Sequence, residues 1–285
     1  MFDTLLSSIE LEIIANRIAM DIDEYCVKKF SEEHRNHLGA SLIGHDCARH
    51  IWYAFRWAKL EMFDGRQLRL FNRGHLEEAR FIEWLRGIGF QVWEVDPNTG
   101  QQFRIWGAKG HYGGGLDSGA IPPYPKFNEP ILLEFKTHNR GSFAKLLKEK
   151  LVISKPRHYA QMCAYGKHYG FKYGLYLAVN KDDDDIYPEI VPLNPRDADD
   201  LTRKAEDIIF SPIAPPKIAL EKTFFECKFC AFSGICHDNQ PMEINCRSCR
   251  YAEPVDNAKW HCHFYKQQIP EEFIPKGCPS HIQIG

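Results

Sequence analysis

The sequence has no long apolar run and almost no net charge, and these two absences limit what the protein can be. None of its apolar runs reaches the roughly 18 residues that a membrane-spanning helix requires, so we expect no membrane partner. The opening residues, MFDTLLSSIELEIIANR, carry acids where a signal peptide carries positive charge, which predicts an intracellular, cytoplasmic protein. The formal net charge of −2 gives no general attraction to nucleic acid.

Binding of nucleic acid would therefore have to come from local basic patches, and the sequence has two candidates. They are Arg66, Arg69 and Arg73, and further along the chain Lys145, Lys148, Lys150, Lys155 and Arg157. A solvated helix face explains either patch equally well. No glycine-rich phosphate loop follows a predicted strand, which argues against a flavin or nicotinamide enzyme.

Cysteine, in contrast, is abundant. Ten cysteines in an intracellular chain favour metal sites over disulfides. Seven of them lie beyond residue 226. Cys26 and Cys163 have no partner by spacing, and we expect both to be ordinary buried cysteines.

Hydrophobic periodicity predicts helices and strands that alternate along the chain. Helices are predicted at residues 1–30, 46–60, 73–86, 142–150, 156–169 and 196–210. Strands are predicted at 90–95, 102–107, around 113–121 and at 131–137, with a hairpin of 173–180 and 186–193. We therefore expect an α/β (α+β) core, followed after the proline-rich break at 211–216 by a Cys-rich C-terminal metal-binding module.

The stretch ILLEFKTHN, residues 131–139, places an acid and a base in what is otherwise a buried strand. Because a strand alternates faces, Ile131, Leu133 and Phe135 share one face, and Glu134 and Lys136 share the other. An edge strand that turns these two charged residues to water is one explanation. A catalytic site is the other.

Asp117, in GGGLDSGAI, favours the catalytic explanation. It is predicted to end a strand and precedes Glu134 by one loop and a return strand, so the two carboxylates could meet on adjacent strands. Two carboxylates at one point repel, and Mg²⁺ is typically held by one or two carboxylates with water and substrate phosphate. A nearby lysine can orient the attacking water or help to deprotonate it.

Two helices carry further polar residues at helical spacing. In RGHLEEARFIEWL, Glu78 falls on the apolar stripe with Phe81 and Leu85 and should point inward, which leaves Glu77 at the rim. In the helix at 156–169, Gln161 and Tyr165 share a face. A satisfied core polar group and a packed aromatic side chain are the ordinary explanations for that pair.

The ordered set Glu78, Asp117, Glu134-Phe135-Lys136 and Gln161-x-x-x-Tyr165 resembles the PD-(D/E)XK nuclease superfamily, and more narrowly its RecB-type branch. The resemblance covers roughly residues 40–240 and implies a restriction-endonuclease-like core, with a central mixed β-sheet flanked by helices. It implies that Asp117 and Glu134 bind Mg²⁺ or Mn²⁺, with help from Glu78 and the Phe135 carbonyl. Lys136 would position the attacking water, and Gln161 and Tyr165 would support the site or hold DNA.

CKFCAFSGIC supplies Cys227, Cys230 and Cys236, whereas zinc and iron–sulfur sites each need four ligands. A zinc site would borrow His237 or a later cysteine. A distant alternative is Cys47, and that arrangement resembles the iron–sulfur members of the RecB-type branch: Cas4, the AddB nuclease domain and exonuclease V. The resemblance implies a [4Fe–4S] cluster that joins the two ends of a nuclease domain at 1–240.

Residues 241–285 form a second cysteine-rich segment. Cys246, Cys249, Cys262 and Cys278 lie within a short span and predict a small zinc-binding tail. His261, His263 and His281 are alternative ligands, although exposed polar positions are the simpler explanation for each. This tail could contact DNA, hold a partner or cap the fold.

These patterns predict a Mg²⁺- or Mn²⁺-dependent deoxyribonuclease, with an exonuclease of linear or single-stranded DNA favoured by the resemblance. Recombination, repair or phage DNA processing is the expected setting, and a recombination or single-strand-binding protein is a candidate partner. Two alternatives remain open at this point. One is a catalytically silent nucleic-acid-binding or assembly module with structural metal sites, and the other is a small iron–sulfur electron carrier.

Overall fold

A computed structural model describes residues 6–285 and contains the predicted mixture of helices and strands. The helices are α1 Ser8–Phe30, α2 Ala48–Phe55, α3 Gly65–Gly87, α4 Arg140–Ser154, α5 Pro156–Tyr169, α6 Pro195–Ile209, α7 Phe225–Lys228 and α8 Ser233–Asp238. The strands are β1 Leu38–Gly39, β2 Gln91–Trp93, β3 Arg104–Gly107, β4 Tyr112–Gly115, β5 Ser118–Ile121, β6 Ile131–His138, β7 Tyr173–Asn180, β8 Ile186–Pro192, β9 Ala252–Pro254, β10 Trp260–Cys262 and β11 Gln267–Gln268. Within residues 6–285, no helix is both long and apolar enough to span a bilayer.

A five-stranded sheet in the order β2-β5-β6-β7-β8 forms the centre of the fold. β6 and β7 run parallel, and the other neighbours run antiparallel, which includes the predicted hairpin of β7 and β8. Helix α3 packs on one face of this mixed sheet, and helix α5 packs on the other. The predicted fold class, an α/β core with a mixed sheet flanked by helices, is confirmed.

Strand β6 lies in the middle of the sheet, and its two faces enter two separate apolar clusters. Ile131, Leu133 and Phe135 pack with α3, whereas Leu132 joins the cluster that contains α5. This is the alternation that the sequence predicts. Because β6 is not an edge strand and Glu134 is fully buried, the explanation of a solvated edge is wrong.

The glycine-rich segment around Asp117 differs from the prediction. It contains two strands in different sheets: β4 pairs with β1 and β3, and β5 pairs with β6. Asp117 therefore directly precedes β5 and does not end a strand. Gly114 is required here because a Cβ atom at this position would lie 2.6 Å from the Tyr165 hydroxyl oxygen and 2.9 Å from the Ala40 Cβ.

Two helices are longer than the apolar pattern indicates. Helix α3 begins at Gly65, eight residues before the predicted start, because Asp64 and Gln67 form a capping box in which each side chain binds the other's backbone N–H. Helix α4 extends to Ser154 but is interrupted at Lys150, which has a φ of 64°. Both differences concern helix ends and leave the order of elements as predicted.

Residues 241–285 pack directly against the rest of the chain. The guanidinium of Arg247 is almost fully buried, lies 4.1 Å from the ring centroid of Trp57, and donates hydrogen bonds to the carbonyls of Asn36 and Phe55. Trp260 is fully buried and stacks on Phe55 with ring centroids 5.4 Å apart. The tail therefore shares one apolar core with the body of the protein.

Candidate active site

The two acids of the predicted site meet where β5 adjoins β6. The register pairs Ser118 with Leu133, which brings Asp117 next to Glu134. Asp117 Oδ2 accepts a hydrogen bond from the backbone N–H of Phe135 at 3.1 Å. The Glu134 side chain has no exposed surface. The sheet thus holds both carboxylates on neighbouring strands.

Lys136 completes this group. Its ammonium forms an ion pair with Glu134 Oε1 and donates a hydrogen bond to the Phe135 carbonyl oxygen at 3.0 Å. The contact with Oε1 does not have hydrogen-bond geometry, so this buried oxygen accepts no hydrogen bond from another described residue. A positive charge is therefore bound between two of the oxygens that are predicted to bind a cation.

The charges in this site strongly perturb one another. Burial raises the pKa of Glu134 to about 7, and the negative charges of Asp117 and Glu78 act in the same direction, against the opposing effect of Lys136. Burial by itself would lower the pKa of Lys136, but the three carboxylates outweigh it and hold that pKa above its usual value. The lysine is therefore an ammonium donor at neutral pH.

Glu78 reaches the same site from α3, but the predicted burial of the two adjacent acids is reversed. Glu77 is buried and binds Arg80 through contacts of 2.8 and 3.0 Å, whereas the Glu78 side chain is 41% exposed. The pKa of Glu78 is raised by partial burial and by the charge of Asp117. Glu78 thus lies at the open side of the site, where an incoming ligand would meet it.

Gln161 and Tyr165 line the site from α5. Gln161 Nε2 donates to Glu134 Oε2 at 3.4 Å, and both residues are buried. Tyr165 is buried one turn further along, where burial and the charges of Glu134 and Asp117 raise its pKa. The shared face that the sequence predicts is therefore present, and Gln161 directly orients the Glu134 carboxylate.

A polar network beside these residues was not anticipated from the sequence. The Tyr176 hydroxyl lies 2.8 Å from both His138 Nε2 and His158 Nδ1, and Tyr176 pairs with Glu134 in the register of β6 and β7. Burial and nearby lysines lower the pKa of His138 to about 4 and that of His158 to about 3. Two spacings could have indicated it: His138 follows Lys136 by two positions on β6, and His158 precedes Gln161 by three on α5.

The donor set of this site suits a hard divalent cation. Carboxylates and a backbone carbonyl are the oxygen ligands that Mg²⁺ and Mn²⁺ prefer, and here they already surround an ammonium charge. Among residues 6–285, no three His, Cys, Asp or Glu side chains are arranged as a finished metal-ion site. Binding of a cation would thus require Lys136 to turn away from Glu134 and the Phe135 carbonyl.

The structure brings Cys47 next to three cysteines from the other end of the chain. Cys47, Cys227, Cys230 and Cys236 line one cavity, together with His45, His50 and Arg49. His50 Nδ1 lies 3.3 Å from Cys230 Sγ, and Arg49 Nη1 lies 3.9 Å from Cys236 Sγ. Burial and the neighbouring thiols raise the pKa of Cys227. Four thiols around one cavity fit the ligand count of a [4Fe–4S] cluster.

The four cysteines of the tail also lie together. Burial, followed by the charges of Cys278, Cys249 and Cys262, raises the pKa of Cys246 to about 11. His281 Nε2 lies 3.0 Å from the Ser248 hydroxyl, and His263 binds Glu253 at 2.7 Å, so both histidines have other partners. Four thiols would meet the ligand count of a structural zinc site. Cys26 and Cys163, which have no such neighbours by spacing, are buried as predicted.

Both predicted basic patches are partly neutralised by acids. Arg69 forms an ion pair with Asp23, and Arg157 binds Glu226 at 3.1 Å. Lys145 lies 3.7 Å from Glu149 on the same helix. Much of each patch is therefore a solvated helix face with paired charges, which is the alternative to nucleic-acid binding that the sequence left open.

The chain resembles several solved structures in its fold. It superimposes on the crystal structure of SSO0001 with a TM-score of 0.45 and 19% sequence identity, over 77% of this chain and 96% of that one. It superimposes on an alkaline exonuclease, LHK-Exo, from Laribacter hongkongensis with a TM-score of 0.42 and 15% identity, over 65% and 90% of the two chains. For LHK-Exo in complex with dAMP, the TM-score is 0.40 at 14% identity, over 61% and 86%. No protein-family model and no curated protein matches the sequence.

Proposed function

We propose that this protein is a metal-dependent deoxyribonuclease that hydrolyses phosphodiester bonds, acting as an exonuclease on linear or single-stranded DNA. The observation that carries the proposal is the convergence of Asp117, Glu134 and Lys136 at the junction of β5 and β6. A purely structural ion pair would not need Asp117 and Glu78 beside it, since both raise the pKa of the buried Glu134.

Each residue has a role that follows from its contacts. A divalent cation held by Asp117 and Glu134 would polarise the scissile phosphate as a Lewis acid. Gln161 binds Glu134 Oε2, so that Oε1 would be available to the cation once Lys136 turns away from it. Lys136 would donate a hydrogen bond that orients the attacking water. Glu78, at the open side, adds a further carboxylate.

The cysteine sets complete the proposal. Cys47, Cys227, Cys230 and Cys236 would hold a [4Fe–4S] cluster that joins α2 to the segment of α7 and α8. Cys246, Cys249, Cys262 and Cys278 would hold zinc within the tail. Because such ligation contributes to folding free energy, both groups would be structural supports of the nuclease core.

The decisive test is cleavage of defined DNA by protein purified without oxygen. Linear duplex, covalently closed circular and single-stranded DNA would each be incubated with Mg²⁺, with Mn²⁺ and with chelator. Lys136→Ala should abolish cleavage. Lys172→Ala is the matched control because Lys172 is 71% exposed and pairs with Glu129 away from the site, so it should retain full activity.

The outcomes separate the functions that remain. If the wild type degrades linear DNA in a metal-dependent reaction and Lys136→Ala does not, the nuclease function is supported. If circular DNA survives in the same assay, the activity is that of an exonuclease. Survival of all three substrates with both metals would overturn it, in favour of a silent nucleic-acid-binding or assembly module.

A further inference from the structure

Helix α1 is attached to the rest of the protein near its C-terminal end. Its backbone at Asp23 approaches α3 so closely that a Cβ atom at Gly65 would lie 2.6 Å from the Asp23 Cα. Arg69 of α3 also pairs with Asp23, and Cys26 is the buried residue of α1. From position 6 to position 22, every residue is exposed. About four turns of helix therefore extend along the surface without being buried by the described chain.

This exposed part of α1 is unusually apolar. Eight large apolar side chains of the helix are exposed: Ile9, Leu11, Ile13, Ile14, Ile18, Met20, Ile22 and Tyr25. Most helices in proteins are stabilised by packing of an apolar face, and a helix that is apolar on several sides is normally buried. Residues 6–285 of the same molecule do not cover the apolar side chains of α1. A further binding surface is therefore needed to bury them.

Five of these side chains form one stripe, with a spacing that is symmetric about Ile18. Leu11, Ile14, Ile18, Ile22 and Tyr25 are separated by three, four, four and three positions, and each is between 45% and 56% exposed. At about 100° per residue they fall within an arc of about 80°. The attachment points Asp23 and Cys26 lie about 140° and 80° from the centre of the stripe, so the stripe lies to one side of the contact with α3 and is not covered by it.

We propose that this stripe binds the same stripe of a second copy of the chain, as an antiparallel helix pair with its twofold axis at Ile18. The symmetric spacing is what such a pair requires, because residues equidistant from the axis face each other. Ile18 would meet Ile18, Ile14 would meet Ile22, and Leu11 would meet Tyr25 of the second copy. Every layer would then be apolar on both sides.

Charge selects the antiparallel direction. Glu10 and Lys28 are five full turns apart, so they lie on the same flank of the stripe, one near each end. In an antiparallel pair Glu10 faces Lys28 of the second copy at both ends, whereas a parallel pair would leave Glu10 and Lys28 at opposite ends of the stripe. Arg17 lies close to the axis but is already paired with Asp21 of its own helix at 2.7 Å. The charged residues beside the stripe are therefore complementary to those of a second, antiparallel copy.

The first experiment measures molar mass by analytical ultracentrifugation over a range of concentrations, and it does not depend on any nuclease activity. The wild type should reach twice the chain mass of 33.1 kDa. Ile18→Glu would place two glutamates face to face at the axis, and should weaken self-association by about tenfold or more. Ile13→Glu is the matched control, because Ile13 is equally apolar and exposed but lies on the opposite side of the helix.

A wild type that stays monomeric at all concentrations would overturn the proposal and leave the stripe to a different protein. Equal weakening by Ile13→Glu and Ile18→Glu would overturn it as well. The direction is tested by a double-mutant cycle of Lys28→Glu and Glu10→Lys, measured as the dimer dissociation constant. The double variant should bind about threefold or more tightly than the two single effects predict, since the swap restores both ion pairs. Simple additivity would overturn the antiparallel register.

Discussion

Asp117 Oδ2 and the backbone N–H of Phe135 are joined by a hydrogen bond of 3.1 Å, which ties the first acid of the site to the strand that carries the second. This bond extends the β5–β6 ladder by one contact, made by a side chain. Separating Asp117 from Glu134 would therefore require the two strands to part. The like charges are held together by the sheet, and a cation would relieve the repulsion that remains.

A divalent cation should therefore stabilise the folded protein through Glu134. We expect millimolar Mn²⁺ or Mg²⁺ to raise the melting temperature of the wild type by about 3 °C or more, because the ion binds only the folded state. Glu134→Gln should lose that shift, since its amide carries no charge. Glu149→Gln, on the exposed part of α4, should keep it. Equal shifts in wild type and Glu134→Gln, by scanning calorimetry, would contradict this assignment.

The hydroxyl of Tyr176 should matter for catalysis as well as stability. Tyr176→Phe leaves His138 and His158 without their shared partner, which should lower the free energy of unfolding by about 1–3 kcal/mol. We also expect kcat to fall by about tenfold with KM unchanged, because the network supports the strand position of Glu134. The measurements are urea unfolding and steady-state kinetics.

Tyr187→Phe provides the comparison. Its hydroxyl binds Glu189 on β8, away from Glu134, so this variant should lose stability but keep its kcat. If both variants lose kcat equally, the effect belongs to general destabilisation and the positioning role of Tyr176 is wrong.

Much of the site could be predicted because strand alternation has a strict period of two. That period placed Glu134 and Lys136 on one face and Ile131 and Leu133 on the other, as found. The hydrogen bond to Phe135 could not be predicted in the same way. It depends on Asp117 preceding β5, which the glycine-rich sequence does not specify.

Other features depend on partners that are distant in sequence. The helical pattern of α3 predicts which face of the helix is packed. It does not predict the burial of Glu77, whose charge is neutralised by Arg80. The network around Tyr176 requires the parallel register of β6 and β7. Docking of the tail through Arg247 and Trp260 joins segments about 200 residues apart, and no local periodicity encodes it.

Cys47 should be required for an iron–sulfur cluster. We expect the wild type, purified without oxygen, to be brown and to contain about four iron atoms per chain. Cys47→Ser should lose the colour and most of the iron and unfold more easily, because ligation contributes to folding. Cys163→Ser, at a buried position outside the cavity, should retain the iron. Full iron content in Cys47→Ser would exclude this residue as a ligand.

Zinc should depend on the tail cysteines independently of iron. Truncation before residue 241 is a poor test, because it would expose Trp57 and Phe55, which pack on Arg247 and Trp260. Cys262→Ser should instead remove about one zinc per chain while the iron content stays unchanged. His263→Asn, a change at an exposed side chain beside it, should keep the metal. Elemental analysis that finds equal zinc in Cys262→Ser and wild type would refute the tail site.

His111 should make stability depend on pH, because it links the β3–β4 turn to the tail. Its ring is fully buried, its Nε2 lies 2.8 Å from the Val255 carbonyl oxygen, and burial lowers its pKa to about 4. In the unfolded chain the pKa is about 6.5, so below that pH the unfolded state binds a proton that the folded state does not. The contribution of His111 is therefore complete above pH 6.5 and is lost as the pH falls toward 4.

Urea unfolding at pH 7.5 and pH 5.5 measures this loss. The free energy of unfolding of the wild type should be lower at pH 5.5 than at pH 7.5. His111 should account for about 1 kcal/mol of that difference. His111→Gln can still donate to Val255 but does not titrate, so its loss should be smaller by about that amount. His263→Gln, at a side chain that is 58% exposed, should lose as much as the wild type. If His111→Gln shows the same pH dependence as the wild type, the acid sensitivity arises elsewhere, with the other buried histidines as the next candidates.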